Sequence, residues 1–491
     1  MKVTIVGGGL TGLSAAYYLG RAKPDWHIHV YEQAPRCGGK IQTQRVGEFV
    51  VELGPDSYLG RKIEMTDLIM DLGLGDTLVS NETGQAYVYD RGTIHPIPGG
   101  SIMGVPTEMM PFVKATLISV AGKLRAGLDY FKKPYPLDVN GDVSIGHFFT
   151  YHLGQEMMDK LIEPLLAGIY GGDIYKISVL STFPHFSQVE QKYGNMVKGM
   201  MAAKKSHKKA GVNQGAQGIA NEGDMPRAGK DAVKDKEFER KGTAAQSGMF
   251  RQLTGGLESV IDAIVAQMPS NVAIHTNALV SHINYSDEQY ELIVQGRVEK
   301  TDKLIITTPP ATYVDWFCHD AVFDNLRNME QSSCAIAIMC FDKSTFDGEL
   351  QGSGLLITRK TDTPLTACTI LNQKWPQTTP SDKIVLRVFI GKPGNDVVER
   401  YSDEELSQLA VTEIQRIMKF SANPEWVKIN RLIHCMPQYN VGHRSAIKKV
   451  RDHVKENYPN LYLIGTPFDG IGIPDGVKQA KALVAQLVEN N

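Results

Sequence analysis

The chain has 491 residues, 42% of them hydrophobic, with a formal net charge of -2. That is enough apolar material for a core divided among two or three lobes. The near-neutral balance leaves no basic field to gather nucleic acid or an anionic membrane, and no apolar run reaches the roughly 18 residues of a membrane span, so a soluble, at most peripherally associated protein is expected.

Residues 1–6 enter a strand at once, leaving no room for a leader peptide. Apolar residues at helical spacing then predict a helix over 10–21, and a second strand follows at 28–32. Gly7, Gly9 and Gly12 form G-x-G-x-x-G between strand and helix, with Gly8, Leu10 and Thr11 filling the spacing. Here Gly7 permits a tight turn, Gly9 lets backbone approach a pyrophosphate, and Gly12 lets the helix pack closely on the strand. The helix N-terminus adds free N–H groups and partial positive charge. Glu32, at the end of the second strand, is placed to accept hydrogen bonds from the ribose hydroxyls of an adenosine, which disfavours a 2'-phosphate. Together these features predict a Rossmann-type dinucleotide site.

Further along, residues 101–131 are apolar, Met-rich and helical in spacing, with Pro111 predicting a break. They read as a buried helix pair, with a cavity wall or a membrane-facing surface as alternatives. Residues 202–247 shift to Lys, Gly, Ala, Asn, Gln and Asp and predict a flexible polar insertion, whose Lys204, Lys205, Lys208 and Lys209 form a solvated face or a basic tether. Strands are predicted at 272–275, 291–294, 304–307, 384–390 and 461–464, and helices at 403–419 and from about 475 to 488. The six cysteines are scattered, without C-x-x-C or zinc-finger spacing, and read as reduced thiols of a cytosolic protein with no metal site.

Arg36-Cys37-Gly38-Gly39-Lys40 resembles the R-x-G-G-K/R stretch of the large FAD-dependent oxidase and desaturase superfamily. The run from Leu461 to Gly465, followed by Phe468-Asp469-Gly470-Ile471-Gly472-Ile473-Pro474-Asp475 and a helix, resembles its closing flavin motif. That helix would aim its positive end at the flavin pyrimidine ring and stabilise negative charge there. Four more stretches narrow the resemblance: Gly54-Pro55-Asp56-Ser57-Tyr58 with Arg61-Lys62, Leu165-Leu166-Ala167-Gly168-Ile169-Tyr170-Gly171-Gly172-Asp173, Leu253-Thr254-Gly255-Gly256-Leu257, and Met436-Pro437-Gln438-Tyr439. Together they resemble the bacterial porphyrinogen oxidases, most nearly those of Gram-positive bacteria, over nearly the whole chain except 202–247. The departures are the length and charge of that insertion and Thr466-Pro467 after Gly465.

The resemblance implies the flavin amine oxidase superfamily fold, α/β and α+β: a discontinuous Rossmann-type FAD-binding domain (1–62, 248–310, 455–491), an inserted mixed-sheet substrate domain (63–95, 311–454) and a helical lobe (96–201). It implies noncovalent FAD held at Gly7, Gly8, Gly9, Leu10, Thr11, Gly12, Glu32, Gln33, Lys40, Gly54, Pro55, Asp56, Ser57, the backbone of Val280, Ile471, Gly472 and Ile473. Lys62 is expected at the substrate mouth, meeting a propionate, with Ile169 and Tyr170 as cavity walls. Arg61, Lys176 and Arg444 are further candidate propionate partners. The implied reaction is oxidation of coproporphyrinogen III to coproporphyrin III in haem biosynthesis, by hydride transfer to FAD and reoxidation by O2 giving H2O2. A ferrochelatase is the expected recipient of the product. No Ser-His-Asp order or paired carboxylates mark a catalytic acid or base, and none is required, because the pyrroles delocalise the cation left on the ring. Protoporphyrinogen IX oxidation, an amine oxidase, a carotenoid desaturase and a non-catalytic binding protein on the same fold are the competing readings.

Overall fold

The computed structural model describes residues 1–137, 141–209, 248–286 and 288–489. In chain order its principal elements begin with β1 (Lys2–Val6), α1 (Leu10–Ala22) and β2 (His27–Tyr31). A helical region follows: α2 (Met109–Lys114), α3 (Val120–Gly127), α4 (Ile145–Leu153), α5 (Glu163–Tyr170), α6 (Pro184–Tyr193) and α7 (Met196–Lys209). Then come β3 (Val272–His275), β4 (Lys303–Ile306), β5 (Gln331–Asp342), β6 (Lys383–Ile390), β7 (Trp426–Pro437), β8 (Leu461–Leu463) and α8 (Ile473–Glu489).

A five-stranded parallel sheet in the order β3-β2-β1-β4-β8 draws its strands from distant parts of the chain. Parallel strands are covered on both faces, and β1 shows it: Val3, Thr4, Ile5 and Val6 are all buried. One face of the sheet packs on α1 and α8 through Ala15, Ala16, Leu19, Ala480 and Leu483. The other packs on Tyr290, Leu292, Tyr313 and Phe323.

A seven-stranded mixed sheet has β7, β5 and β6 at one end, followed by Leu365–Ile370, Gly354–Ile357, Ala86–Asp90 and Thr93–Pro96. Helix Asp403–Met418 covers one face with Leu406, Ala410, Ile414 and Ile417. Its start carries a full capping box between Ser402 and Glu405.

The helical region has a separate core around Phe148, Phe149, Leu161 and Phe186. Within it His152 is buried between Asp129, 2.6 Å away, and Glu190, 2.9 Å away, an acid–imidazole–acid cluster that sequence spacing did not reveal.

Three predictions need correction here. Residues 101–131 are not a helix pair broken at Pro111: two short strands precede α2, and Pro111 sits in the first turn of α2. A proline there forfeits only an N–H that lacks an intrahelical partner anyway. Nor is the segment wholly buried, because Val120, Leu124 and Phe131 are 73%, 69% and 82% exposed while Phe112, Leu117, Ile118 and Ala126 turn inward. A stretch apolar on both faces does not say which face enters the core. Finally, α7 continues to Lys209, past the point where a flexible insertion was predicted. Met196 and Met200 anchor it in the core, and Ala and Lys sustain the helix beyond them. The remainder of that insertion, 210–247, lies outside the described residues.

Candidate functional site

The glycine turn after β1 is shaped by collisions that side chains would cause. A Cβ on Gly12 would stand 2.0 Å from the Gly7 carbonyl oxygen, so α1 can lie on the turn only if residue 12 has no side chain. Gly7 itself has φ +110°, a conformation open to glycine. Gly9 differs: a Cβ there would meet nothing within 4 Å, so open space lies over the start of α1. The first backbone bond of α1 runs from Leu13 N–H to Gly9 C=O, so the N–H groups of Leu10, Thr11 and Gly12 have no partner inside the helix. No side chain caps them and no acidic residue occupies the first turn. This is a cradle for an anion.

Glu32 is fixed beside that cradle. One carboxylate oxygen accepts the Gly8 N–H at 2.7 Å and the other the Ala34 N–H at 2.8 Å, which leaves each oxygen further lone pairs for hydroxyl donors. Gln33 is exposed next to it. The second glycine pair lies against the first: Gly38 N–H donates to Gly8 C=O at 2.8 Å, and a Cβ on Gly39 would lie 3.3 Å from Gly9 Cα. Arg36 holds this loop together by donating to the carbonyls of Cys37, Gly39 and Ile41. Lys40 is half-buried, with its ammonium donating to the Cys435 carbonyl, and desolvation lowers its pKa.

Gly54 is wedged against that loop, since a Cβ there would fall 1.8 Å from the Lys40 carbonyl oxygen. Asp56 turns away from the cradle. Its carboxylate meets Lys374 at 2.8 Å and Arg387 at 3.8 Å and accepts from Ser57. Burial pushes its pKa up, but the two cations outweigh that and hold it far below the usual carboxylate range. Pro55 lies between these two anchored residues. Val280 is buried at the head of a strand, and its carbonyl accepts from the Trp316 indole at 3.2 Å.

The closing motif reaches the same place. A Cβ on Gly476 would lie 2.5 Å from Thr11 Oγ1, so the first turns of α8 and α1 touch and two positive helix ends converge. Ile473 packs in the core with Leu10, whereas Ile471 packs with the helical region. Asp475 folds back to accept the Gly472 N–H at 3.1 Å. Its other oxygen is paired with Lys62 at 2.5 Å. Lys62, expected at an open mouth, therefore already has a carboxylate partner within the closing motif. Lys176 is likewise paired, with Glu330 at 2.8 Å, while Arg444 is exposed.

Tyr170 and Ile169 separate. Tyr170 is buried, and its phenol is pushed up first by burial and then by the charge of Asp475, whereas Ile169 is 42% exposed. The Tyr170 carbonyl accepts from Gln438 at 2.8 Å and Ser332 at 3.0 Å. Gly172 admits Gln438, whose Oε1 would be 1.7 Å from a Cβ at that position. Tyr439 accepts the Gly470 N–H at 2.9 Å and donates to Thr466 C=O at 2.5 Å. Thus Met436-Pro437-Gln438-Tyr439 ties the end of α5 to the closing motif.

Sequence reasoning missed Lys374, Arg387 and Glu52. The signal for Arg387 was an arginine inside the apolar run of β6, a position that buries a charge and so demands a partner. Glu52 is buried, accepts the Leu257 N–H at 2.6 Å and the Thr43 hydroxyl at 2.8 Å, and anchors the Leu253–Leu257 motif. Burial raises its pKa to about 7.

The residues fit a bound dinucleotide: an open glycine at a helix start, two converging helix N-termini, a fixed carboxylate and a second glycine loop laid on the first. The flavin containing amine oxidoreductase family matches this chain over residues 10–488. The chain is 38% identical to the coproporphyrinogen III oxidase of Staphylococcus aureus, covering 99% of each protein. It is 35% identical to that of Bacillus subtilis, covering 98% of this chain and 97% of the relative. A crystal structure from Exiguobacterium sp. 255-15, provisionally described as a protoporphyrinogen oxidase, superposes with a TM-score of 0.84 at 34% identity over 100% of this chain and 99% of its own.

Proposed function

The chain belongs to the flavin containing amine oxidoreductase family and, within it, to the porphyrinogen oxidases; from that premise we propose that it oxidises coproporphyrinogen III to coproporphyrin III, with O2 as final acceptor and H2O2 as co-product. The observation that carries this is the meeting of the α1 and α8 N-termini beside the paired glycine loops, in a chain whose full-length relatives carry that activity in their names.

The cofactor is FAD. The N–H groups at Leu10, Thr11 and Gly12 and the open face of Gly9 hold its diphosphate. Glu32 and Gln33 hold the ribose, and Lys40, the backbone of Gly54, Pro55, Asp56 and Ser57, and Val280 complete the cleft. Ile471, Gly472 and Ile473 bring the α8 N-terminus to the pyrimidine ring. When bound, FAD supplies a two-electron acceptor for hydride leaving a meso carbon between two pyrroles. The pyrroles share the resulting positive charge, so the protein needs no strong base; its part is to orient the macrocycle and exclude water. Ile169 and Tyr170 contribute apolar wall. Lys62 spends one of its three N–H donors on Asp475 and offers the others to a propionate. The product passes to a ferrochelatase, and the six free thiols suit a reducing cytosol.

The test mixes the purified protein in air with coproporphyrinogen III and, separately, with protoporphyrinogen IX, following porphyrin fluorescence. Flavin absorbance with faster oxidation of coproporphyrinogen is expected. Preference for protoporphyrinogen would move the assignment to that substrate, and flavin bands with neither oxidised would overturn it.

A further inference from the structure

Two of the six cysteines meet. β5 and β7 run antiparallel with Ser332 opposite Met436, but the next pair is Cys334 opposite Leu432, so Ile433, His434 and Cys435 bulge against Ser333 alone. His434 takes up the bulge with φ +43° and donates its N–H to Ser333 Oγ at 3.0 Å. The bulge turns Cys435 inward, 9% exposed, and brings its thiol close to that of Cys334 on the neighbouring strand, with the Lys40 ammonium near both. The neighbouring His434 and Ile433 are exposed, so solvent comes within one residue of the pair. Lys40 holds the Cys435 carbonyl from below.

We propose that Cys334 and Cys435 form a reversible dithiol–disulfide pair, a modification site whose oxidant is hydrogen peroxide or another small peroxide. The two sulfurs are held unlike. Cys435 is drawn down by its contact with Cys334 and by the nearby Lys40 charge, against the opposing effect of burial, whereas Cys334 is pushed up by its contact with Cys435 and by burial. One is suited to attack as thiolate and the other to stay protonated until it resolves the product. Two other thiols contrast with this: burial pushes Cys340 up to about 11 and Cys368 up to about 12.

The chemistry balances. The Cys435 thiolate attacks one peroxide oxygen, the O–O bond breaks, and hydroxide leaves as water with the thiol's proton, giving a sulfenic acid. Cys334 sulfur attacks that sulfur, the S–O bond breaks, and a second water leaves with the Cys334 proton. Two thiols lose two electrons and one peroxide becomes two waters. That the protein itself releases peroxide rests on the function proposed above; the reactivity of the pair does not.

The experiment treats the intact flavin-bound protein with hydrogen peroxide, without porphyrinogen, and maps peptides by mass spectrometry under non-reducing conditions. The expected result is a cross-linked peptide pair containing Cys334 and Cys435, lighter by two hydrogens and reverted by dithiothreitol. In Cys334→Ser, dimedone should label Cys435 as a trapped sulfenic acid, and in Cys435→Ser the cross-link should vanish, with circular dichroism showing both variants folded. Oxidation of exposed Cys318 while Cys334 and Cys435 stay reduced, or oxidation of either without cross-linking, would overturn the proposal. A failed porphyrinogen assay leaves this outcome unaffected.

Discussion

Lys62 and Asp475, 413 positions apart in sequence, are joined by an ion pair of 2.5 Å that fastens the start of one short helix, Ile63–Asp71, to the first turn of α8. Both side chains are mostly buried, so the pair is expected to couple by about 1 kcal/mol in a double-mutant cycle on Lys62→Ala and Asp475→Asn, read by urea unfolding. The same Lys62→Ala protein should show a raised KM for porphyrinogen with little change in kcat. An unchanged KM would assign Lys62 to the ion pair alone.

Gly9 and Gly12 should respond differently to the same added methyl group. Gly12→Ala collides with the Gly7 carbonyl and should yield unstable, flavin-poor protein, whereas Gly9→Ala meets open space and should fold, with the thermal midpoint of its flavin-free form unchanged from that of the flavin-free parent. Its methyl group fills the cradle, so flavin affinity should drop by about tenfold or more, the equivalent of about 1.4 kcal/mol. Equal flavin retention in Gly9→Ala and the parent, by absorbance after dialysis, would separate the cradle from the cofactor.

Asp56 neutralises two cations that have little access to water. Asp56→Ala strands Lys374 and Arg387 and should cost about 3–5 kcal/mol of stability. Asp56→Asn, which keeps the acceptor oxygen, should cost less. Denaturant midpoints equal to the parent's would refute the role assigned to this ion cluster.

Glu52 sets a pH dependence of the opposite sign to most carboxylates. Burial raises its pKa in the fold to about 7 from the ordinary 4.5, so the folded state holds a proton that the unfolded state has lost between these values. Stability from this group is complete below pH 4.5 and falls by about 1.4 kcal/mol per pH unit up to about pH 7. Glu52→Gln should remove that slope and stabilise the protein at pH 8. Parallel stability curves for variant and parent across this range would show that Glu52 does not carry the proton.

What could be read in the sequence was local. The strand–glycine–helix unit, the 272–275 strand, which the structure places at Val272–His275, and the 403–419 helix, observed as Asp403–Met418, announce themselves through periodicity within a few turns. Proline misled once: Pro111 was read as a break although it stands in a first turn, just as Pro474 does in α8. The site's polar partners were illegible for a different reason. Asp56 finds Lys374 across 318 positions, and Cys334 finds Cys435 only because a bulge in β7 shifts the ladder, and neither relation leaves a spacing in the chain. Lys62 was noticed through resemblance, but Asp475 as its partner requires α8 to be folded onto α1.

The order of the parallel sheet also bears on how the protein is made. β1 and β2 leave the ribosome early, yet β4 and β8 begin 272 and 430 residues after β2 ends at Tyr31, since they lie at Lys303–Ile306 and Leu461–Leu463. Until synthesis has passed α8, the face of α1 that packs on α8 and the edge of β4 that pairs with β8 have nothing to cover them, and the glycine cradle has one helix end instead of two. Such long-range closure is slow and leaves apolar edges exposed to neighbouring nascent chains. A chain stopped before α8 is therefore a substrate for chaperones and proteases rather than a flavin-free form of the enzyme.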